Sequence, residues 1–322
     1  MAIAPEIDLY GHRGARGLSP ENTLPAYKTA LALGVDFVDM DINMTKNRVL
    51  VVTHHLSLNP NITRKIGGKE YVKSETMWIK NLTFEELQAF DVGRIDPQSE
   101  YSKIFPAQQP ADNTKIPKLL DAISYVKKIG GEQIKFVIEI KTDPTNPEGS
   151  SDPKEMAREL VKILERQHIV ERTEVQSFDF RSLLAIQKLN PNIITQYLTE
   201  DVSREQMLDP DSEKAGLWTA GHLLKNYSGS LPRMIAGLGG KAWGVQDTGL
   251  TKALVQEAHD LGLKVVVWSW PRYPQPDIDI KVTEKVISYG IDGIITDRPD
   301  IVRKLMKAQG MPLPPSCTVT EP

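Results

Sequence analysis

The 322-residue sequence has little cysteine, little excess charge and no long apolar run. Its one cysteine, Cys317, has no partner in the chain, so an internal disulfide is excluded and the redox compartment stays open. A net charge of −3 without a long block of one sign argues against a protein whose main task is to grip nucleic acid or an anionic membrane. No apolar stretch approaches the roughly 20 residues that a membrane-spanning helix needs.

The first residues, MAIAPEIDLYGHRG, also lack the basic-then-apolar pattern of a signal peptide. We therefore expect a soluble protein of the periplasm or the cytoplasm, without a membrane span, that acts on a small molecule. Its oligomeric state is left open by the sequence.

Short apolar runs alternate with amphipathic stretches along the chain. Helical patterns occupy 22–33, 154–168 and 251–262, and the first has Asn22 or Thr23 as its N-cap. Eight strands alternating with helices predict an α/β fold of the (β/α)8 TIM-barrel type. The predicted strands are 7–11, 37–42, 136–141, 174–178, 194–198, 241–246, 264–270 and 293–297.

A ninth apolar run, 49–54, follows the second strand too closely for a parallel crossover. We expect a β-hairpin that turns through Thr45–Arg48 and carries His54 back to the end of strand two. Residues 56–118 are interpreted as an insertion covering the active site, with one helix near 83–90. The expected organisation is one catalytic domain over 1–311 and a loose Pro-rich tail over 312–322.

Polar residues collect where the predicted strands end, which is where barrels of this type hold their active sites. Buried charges are unfavourable unless they are paired or bound to metal, so this collection indicates a polar reaction centre. Its members are His12, Arg13, Asp39, Asp41, His54, His55, Glu139, Lys141, Gln176, Ser177, Trp268 and Asp297.

The residue types suggest roles in phosphate chemistry. Asp39, Asp41 and Glu139 offer the oxygen ligands that Mg²⁺ or Ca²⁺ prefers. Arg13 can bind phosphate through its two-pronged guanidinium and Lys141 can do so as a point charge. His12 and His54 can serve as general base and general acid near neutral pH. The alternative is that the carboxylates form structural ion pairs with Arg13 or Lys141, while Trp268 either packs in the core or forms a wall for substrate.

The run GHRGARGLSPENTLPAYKTALALGVDFVDMDINMTKNRVLVVTHH resembles the glycerophosphodiester phosphodiesterase family, as do IPKLLDAI, VIEIK, VQSFD and DGIITDRPD. The resemblance covers 8–305 and implies a TIM barrel that uses a divalent cation to release glycerol 3-phosphate and an alcohol. Position by position it implies that His12 and His54 are catalytic and that Arg13 and Lys141 contact phosphate. By the same correspondence Asp39, Asp41 and Glu139 are the metal ligands.

Three positions depart from the family pattern. Asp39 replaces the usual Glu, His55 replaces the Asp that normally follows the catalytic histidine, and Asn47-Arg48 replaces Asp-Gly in the hairpin turn. Two alternatives to glycerophosphodiester hydrolysis also remain. The same residues can cleave lysophospholipid or sphingomyelin, or the chain can bind a polyol phosphate without turnover.

Overall fold

A computed structural model describes residues 6–73, 77–200, 216–269 and 278–318. The strands are β1 (Asp8–Gly11), β2 (Phe37–Met44), β3 (Leu50–Val52), β4 (Arg64–Lys65), β5 (Phe90–Asp91), β6 (Lys135–Ile140), β7 (Thr173–Ser177), β8 (Ile194–Thr199), β9 (Ala242–Gln246), β10 (Lys264–Trp268) and β11 (Gly293–Thr296). All eight predicted barrel strands are present to within about two residues. Residue 270, at the end of the seventh, lies outside the described residues.

Ten helices accompany the strands in the described part of the chain. They are α1 (Leu24–Leu33), α2 (Phe84–Leu87), α3 (Glu100–Ile104), α4 (Leu119–Gly130), α5 (Pro153–Arg166), α6 (Phe180–Leu189), α7 (Leu231–Gly237), α8 (Lys252–Asp260), α9 (Ile280–Ile287) and α10 (Pro299–Ala308). Three short 3₁₀ turns add Ile79–Asn81, Val170–Arg172 and Leu224–Tyr227.

The strands form the predicted (β/α)8 barrel. Their order is β1-β11-β10-β9-β8-β7-β6-β2, and β1 also pairs with β2, which closes the sheet. The hairpin prediction is confirmed too, because β3 pairs antiparallel with β2 through Ile42↔Val52 and Met44↔Leu50. Within that turn Arg48 has the left-handed conformation, at φ 62°.

The described residues divide into two compact units. Unit one comprises the described residues of Met1–Ile7, Val137–Trp270 and Asp279–Ile295. Unit two comprises those of Asp8–Phe136, Pro271–Ile278 and Thr296–Pro322. In unit one, β7 to β10 pair in parallel and their side chains are almost all buried. Helix α5 begins where Asp152 accepts hydrogen bonds from two backbone N–H groups and Pro153 sets the first helical φ.

Unit two contains β1 to β3, helices α1 to α4 and α10, and the insertion. Helix α1 is capped by Thr23, whose side chain accepts from the Ala26 N–H, and it ends at Gly34. The helix predicted near 83–90 is present as α2, which is only one turn long, and the insertion contains further elements. It also contains the β4–β5 pair and α3. Its apolar side chains pack with β3 in one buried cluster of Val51, Leu58, Ile79, Leu87, Phe90, Val92 and Ile116.

The described part of the segment after α10 makes hydrogen bonds at two points. The Arg303 guanidinium donates to the Pro314 carbonyl at 2.6 Å and to the Gly34 carbonyl at 2.9 Å. The backbone N–H of Cys317 donates to the Leu31 carbonyl at 2.9 Å. The described residues of the Pro-rich segment are therefore hydrogen-bonded to α10 through Pro314 and to α1 through Cys317.

No helix in the described ranges combines the length and the apolar character needed to cross a membrane.

Candidate active site

The first site element is the turn after β1, where His12, Arg13 and Gly14 follow the strand. Arg13 has φ 49° and Gly14 has φ 86°, so the chain leaves the strand through two consecutive left-handed residues. A Cβ on Gly14 would lie 2.6 Å from the Ala26 Cβ, which restricts the position to glycine. A left-handed arginine is uncommon and strained, and strain of this kind collects at functional sites.

His12 is held by a carboxylate from the end of β11. Its Nδ1 lies 2.7 Å from Asp297 Oδ1, and its backbone N–H donates to the Thr296 carbonyl at 2.9 Å. Arg16 donates to both oxygens of the same carboxylate, from Nε at 2.8 Å and from Nη2 at 2.7 Å. His12, Arg16 and Asp297 therefore form one hydrogen-bonded group at the C-terminal end of β1.

The charges in this group determine which nitrogen of His12 carries the proton. Burial alone would raise the pKa of Asp297, but Arg16 and His12 hold it far below its usual value of 3.8. Asp297 is therefore a charged acceptor at 2.7 Å from His12 Nδ1, whereas Arg16 Nη2, the other group facing Nδ1, is farther away at 3.3 Å and already donates to Asp297. The shorter, charge-assisted contact assigns the proton to Nδ1, with Asp297 as its acceptor. Burial lowers the pKa of His12 from its usual 6.5; Asp297 opposes that shift and Arg16 reinforces it. His12 is thus neutral near pH 7, with Nε2 as its basic atom.

Arg13 is buried among carboxylates. Its Nη1 donates to Glu21 Oε1 at 2.8 Å, and its Nε lies 3.3 Å from Asp41 Oδ2. Only 2% of the Arg13 side chain is exposed. The ion pair with Asp41 that the sequence left open as an alternative is present, and it fixes one proposed metal ligand beside the proposed phosphate ligand.

Asp39 and Asp41 alternate with Met40 along β2, and both are fully buried. Asn22 holds Asp41 from the loop before α1, because its Nδ2 donates to Asp41 Oδ2 at 2.8 Å and its Oδ1 accepts from the Asp41 N–H at 3.1 Å. Burial, followed by the charges of Asp41 and Asp39, raises the pKa of Tyr27 well above its usual value. The charges of both carboxylates thus raise the pKa of the same buried neighbour, Tyr27.

The hairpin brings two histidines to the end of β3. The Thr53 N–H donates to the Asp41 carbonyl at 2.9 Å, and Asn43 Nδ2 donates to the carbonyls of Thr53 and His55 at 2.8 and 3.2 Å. His54 is half-buried and His55 is exposed, with their ring centroids 4.8 Å apart. One backbone hydrogen bond to β2 and two from the Asn43 side chain therefore anchor the segment that carries His54.

Unit one contains the other three predicted site residues. Lys141 Nζ donates to Glu139 Oε1, so these two charges form a pair at the end of β6. Trp268, half-buried at the end of β10, donates through Nε1 to the Gly244 carbonyl at 3.3 Å and meets the Phe178 ring edge-on. The Ser177 hydroxyl donates to the Ile140 carbonyl at 2.8 Å, and the Gln176 side-chain oxygen accepts from Gln196 Nε2 at 2.8 Å.

Sequence reasoning missed four residues that hold the site in unit two. Arg16, Glu21, Asn22 and Tyr101 connect or support the predicted residues. Arg16 and Glu21 were visible as charged residues beside the HRG turn, whereas Tyr101 lies far along the insertion and gave no local signal. Among the described residues, no group of three or more His, Cys, Asp or Glu side chains is arranged to hold a metal ion.

The sequence profile of the Glycerophosphoryl diester phosphodiesterase family matches residues 12–301. This chain belongs to that family. One relative is YhdW of Bacillus subtilis strain 168, which is 27% identical over 92% of this chain and 96% of its own length. Another is the glycerophosphodiester phosphodiesterase of Caldanaerobacter subterraneus subsp. tengcongensis, which is 26% identical over 93% of this chain and 97% of its own length.

Solved structures agree on the fold. A structure from Silicibacter pomeroyi DSS-3 that carries the family's name has a TM-score of 0.82 at 29% identity and covers 95% of both chains. An Oleispira antarctica phosphodiesterase, solved in complex with the product sn-glycerol-3-phosphate, has a TM-score of 0.64 at 19% identity and covers 94% of this chain and 97% of its own.

Membership of the glycerophosphoryl diester phosphodiesterase family makes the chain an enzyme of phosphodiester cleavage. The alternative of a polyol-phosphate binding protein without turnover is therefore not adopted. The predicted substrate class, a small glycerophosphodiester, agrees with the family's name.

Proposed function

We propose that this enzyme hydrolyses glycerophosphodiesters to glycerol 3-phosphate and an alcohol by acid–base catalysis between His12 and His54, with a divalent cation. The observation that carries the proposal is the 2.7 Å contact between His12 Nδ1 and Asp297, which leaves Nε2 as a basic atom. The product found with the Oleispira antarctica phosphodiesterase supports the same chemistry.

In this mechanism one imidazole removes a proton from the attacking hydroxyl and the other gives a proton to the departing oxygen. His12 suits the first role because it is neutral near pH 7. His54 enters the reaction protonated and gives its proton to the leaving alcohol. In direct hydrolysis His12 then loses its proton to solvent and His54 takes one up, whereas on the cyclic route the two exchange roles when water opens the cyclic phosphate. The attacking hydroxyl belongs to water or to the substrate's own glycerol, and the second choice passes through a cyclic phosphate.

Phosphate binding is assigned to Arg13 and Lys141, and Trp268 is proposed as a wall for the substrate. Arg13 is oriented for this role by Glu21, which occupies its Nη1. A guanidinium already aligned by a carboxylate loses little side-chain freedom when it binds phosphate.

Enzymes of this family use a divalent cation, and the donor chemistry here fits one. Asp39 and Asp41 are fully buried carboxylates two residues apart, and buried carboxylates are favourable when they share a hard cation such as Mg²⁺ or Ca²⁺. We propose Asp39, Asp41 and, from its sequence motif, Glu139 as the ligands. When bound, the cation polarises a phosphoryl oxygen and offsets the developing negative charge.

The test combines metal binding with turnover of glycerophosphocholine. The wild type should lose activity in chelator and regain it with Mg²⁺ or Ca²⁺, while Asp41→Asn should bind the metal at least tenfold more weakly in calorimetry. Asp8→Asn, on β1 and partly exposed, serves as the matched control and should bind as the wild type does. Full turnover in chelator, or restoration by Zn²⁺ alone, would contradict the ligand assignment.

A further inference from the structure

A continuous chain of polar contacts joins His12 to the insertion. The first contacts in this series join His12 to Asp297 and Asp297 to Arg16. Arg16 Nη1 donates to the Tyr101 hydroxyl at 3.2 Å, and that hydroxyl donates to Glu21. Arg16, Glu21 and Asp297 are buried, His12 and Tyr101 are half-buried, and all five lie in unit two.

The insertion contacts Arg16 at three places. Besides the Tyr101 hydroxyl, the Phe105 ring lies under the guanidinium, with Arg16 Cζ 4.5 Å from the ring centroid. Gln108 Nε2 donates to the Arg16 backbone carbonyl at 2.7 Å. Tyr101 and Phe105 also meet edge to face at 5.0 Å, so the end of the insertion packs as a unit around this one arginine.

This arrangement has a chemical consequence for His12. A histidine that acts through Nε2 needs its proton on Nδ1 and its ring fixed in one orientation, which a charged carboxylate at Nδ1 provides. The carboxylate must itself be fixed, and Arg16 does so with two parallel hydrogen bonds to Asp297. Arg16 is aligned in turn by Tyr101, Phe105 and Gln108.

We propose that Arg16 and Asp297 are positioning residues that fix the tautomer and orientation of His12, and that insertion residues 101–108 complete the site by holding Arg16. The proposal rests on the proposed role of His12 in catalysis. It assigns the insertion a part in assembling the reaction centre as well as in covering it.

The direct readout is the tautomer of His12. With ¹⁵N-labelled histidine, the six histidine rings give separate signals, and the His12 signal is the one that His12→Ala removes. Wild type should show the Nδ1–H form of His12 near neutral pH. Asp297→Asn and Arg16→Lys should both shift that signal toward the Nε2–H form that free histidine favours.

Turnover supplies the second readout. Asp297→Asn and Arg16→Lys should lower kcat on the order of 10²-fold with KM changed less than about threefold, because orientation is lost while phosphate contacts remain. Tyr101→Phe removes only the hydroxyl and should lower kcat about tenfold. Its control is Tyr71→Phe, in the same insertion, whose hydroxyl donates to the Arg94 carbonyl instead. Asp300→Asn is the control for Asp297, since Asp300 pairs with Arg298 in the same segment.

Two results would overturn the proposal: a His12 tautomer that is unchanged in folded Asp297→Asn and Arg16→Lys, or a Tyr101→Phe enzyme no slower than Tyr71→Phe. Circular dichroism confirms folding, and Arg16→Lys and Tyr101→Phe keep the test decisive if Asp297→Asn does not fold. A failure of the proposed function would look different, because wild type would then leave glycerophosphodiesters intact while the ¹⁵N spectra still reported how His12 is held.

Discussion

Replacing Glu21 with glutamine tests how strongly the buried charges hold the site together. Arg13 and Glu21 form a 2.8 Å ion pair with side chains only 2% and 3% exposed. Removing one partner of such a pair leaves a buried charge uncompensated, which costs about 3–5 kcal/mol. Asp41, 3.3 Å from Arg13 Nε, compensates in part, so we expect the free energy of unfolding of Glu21→Gln to fall by about 3 kcal/mol, the low end of that range.

The pH dependence of this loss follows from the pKa of Glu21. Burial alone would raise it, but Arg13 and Arg16 hold it below its usual value of 4.5. A carboxyl whose pKa is lowered by folding stabilises the fold above its unfolded pKa and loses that contribution as pH falls through its folded pKa. The difference between wild type and Glu21→Gln should therefore be complete at pH 7 and shrink once the pH drops below about 4.5.

Urea unfolding at several pH values, followed by circular dichroism, measures this difference. Glu100→Gln is the control, since Glu100 pairs with Lys103 on an exposed face where ion pairs contribute little. Equal unfolding midpoints for Glu21→Gln and wild type at pH 7 would refute the reasoning, as would a difference that grows toward acid pH.

Three further predictions concern turnover. His12→Ala and His54→Ala should each lower kcat by roughly 10²–10⁴ with the fold intact, and His55→Ala far less; a larger loss for His55 would mean that the catalytic histidine of the hairpin is the other one. Because burial lowers the pKa of His12 and the neutral ring is the active form, kcat/KM should fall with decreasing pH only below 6.5, and a midpoint above 6.5 would exclude His12 as the base. The sequence of the insertion is rich in charged residues and has no contiguous apolar stripe on which an acyl chain could be buried. Below the micelle concentration, kcat/KM should therefore be higher for glycerophosphocholine than for lysophosphatidylcholine. The reverse preference would support the lipid-cleaving alternative.

The barrel was predictable because strand signals are local. Continuous apolar runs such as FVIEIK are typical of strands covered on both faces, and each became a strand. The hairpin followed from the short spacing between β2 and β3, since parallel strands need a longer crossover. The turn residue was less predictable: Asn47 favours a left-handed conformation by type, but its side chain instead accepts from the Thr45 hydroxyl and the Phe84 N–H, and Arg48 takes the left-handed φ.

The supporting contacts of the candidate site were not predictable from local pattern. Arg16 and Asp297 are 281 positions apart, and only closure of the barrel between β11 and β1 makes them neighbours. Asn22 was expected as an N-cap by residue type, yet Thr23 caps α1 and Asn22 turns to Asp41. Tyr101 belongs to an insertion whose composition predicted only a cover.

The central claim is that the enzyme converts a glycerophosphodiester to glycerol 3-phosphate. Phosphorus NMR of glycerophosphocholine incubated with the enzyme and Mg²⁺ or Ca²⁺ tests it directly. The substrate signal should be replaced by that of glycerol 3-phosphate, either at once or through a transient cyclic phosphate, and His12→Ala should slow the change by at least about 10²-fold. Release of phosphocholine, or an unchanged substrate signal with wild-type enzyme and metal, would contradict the claim.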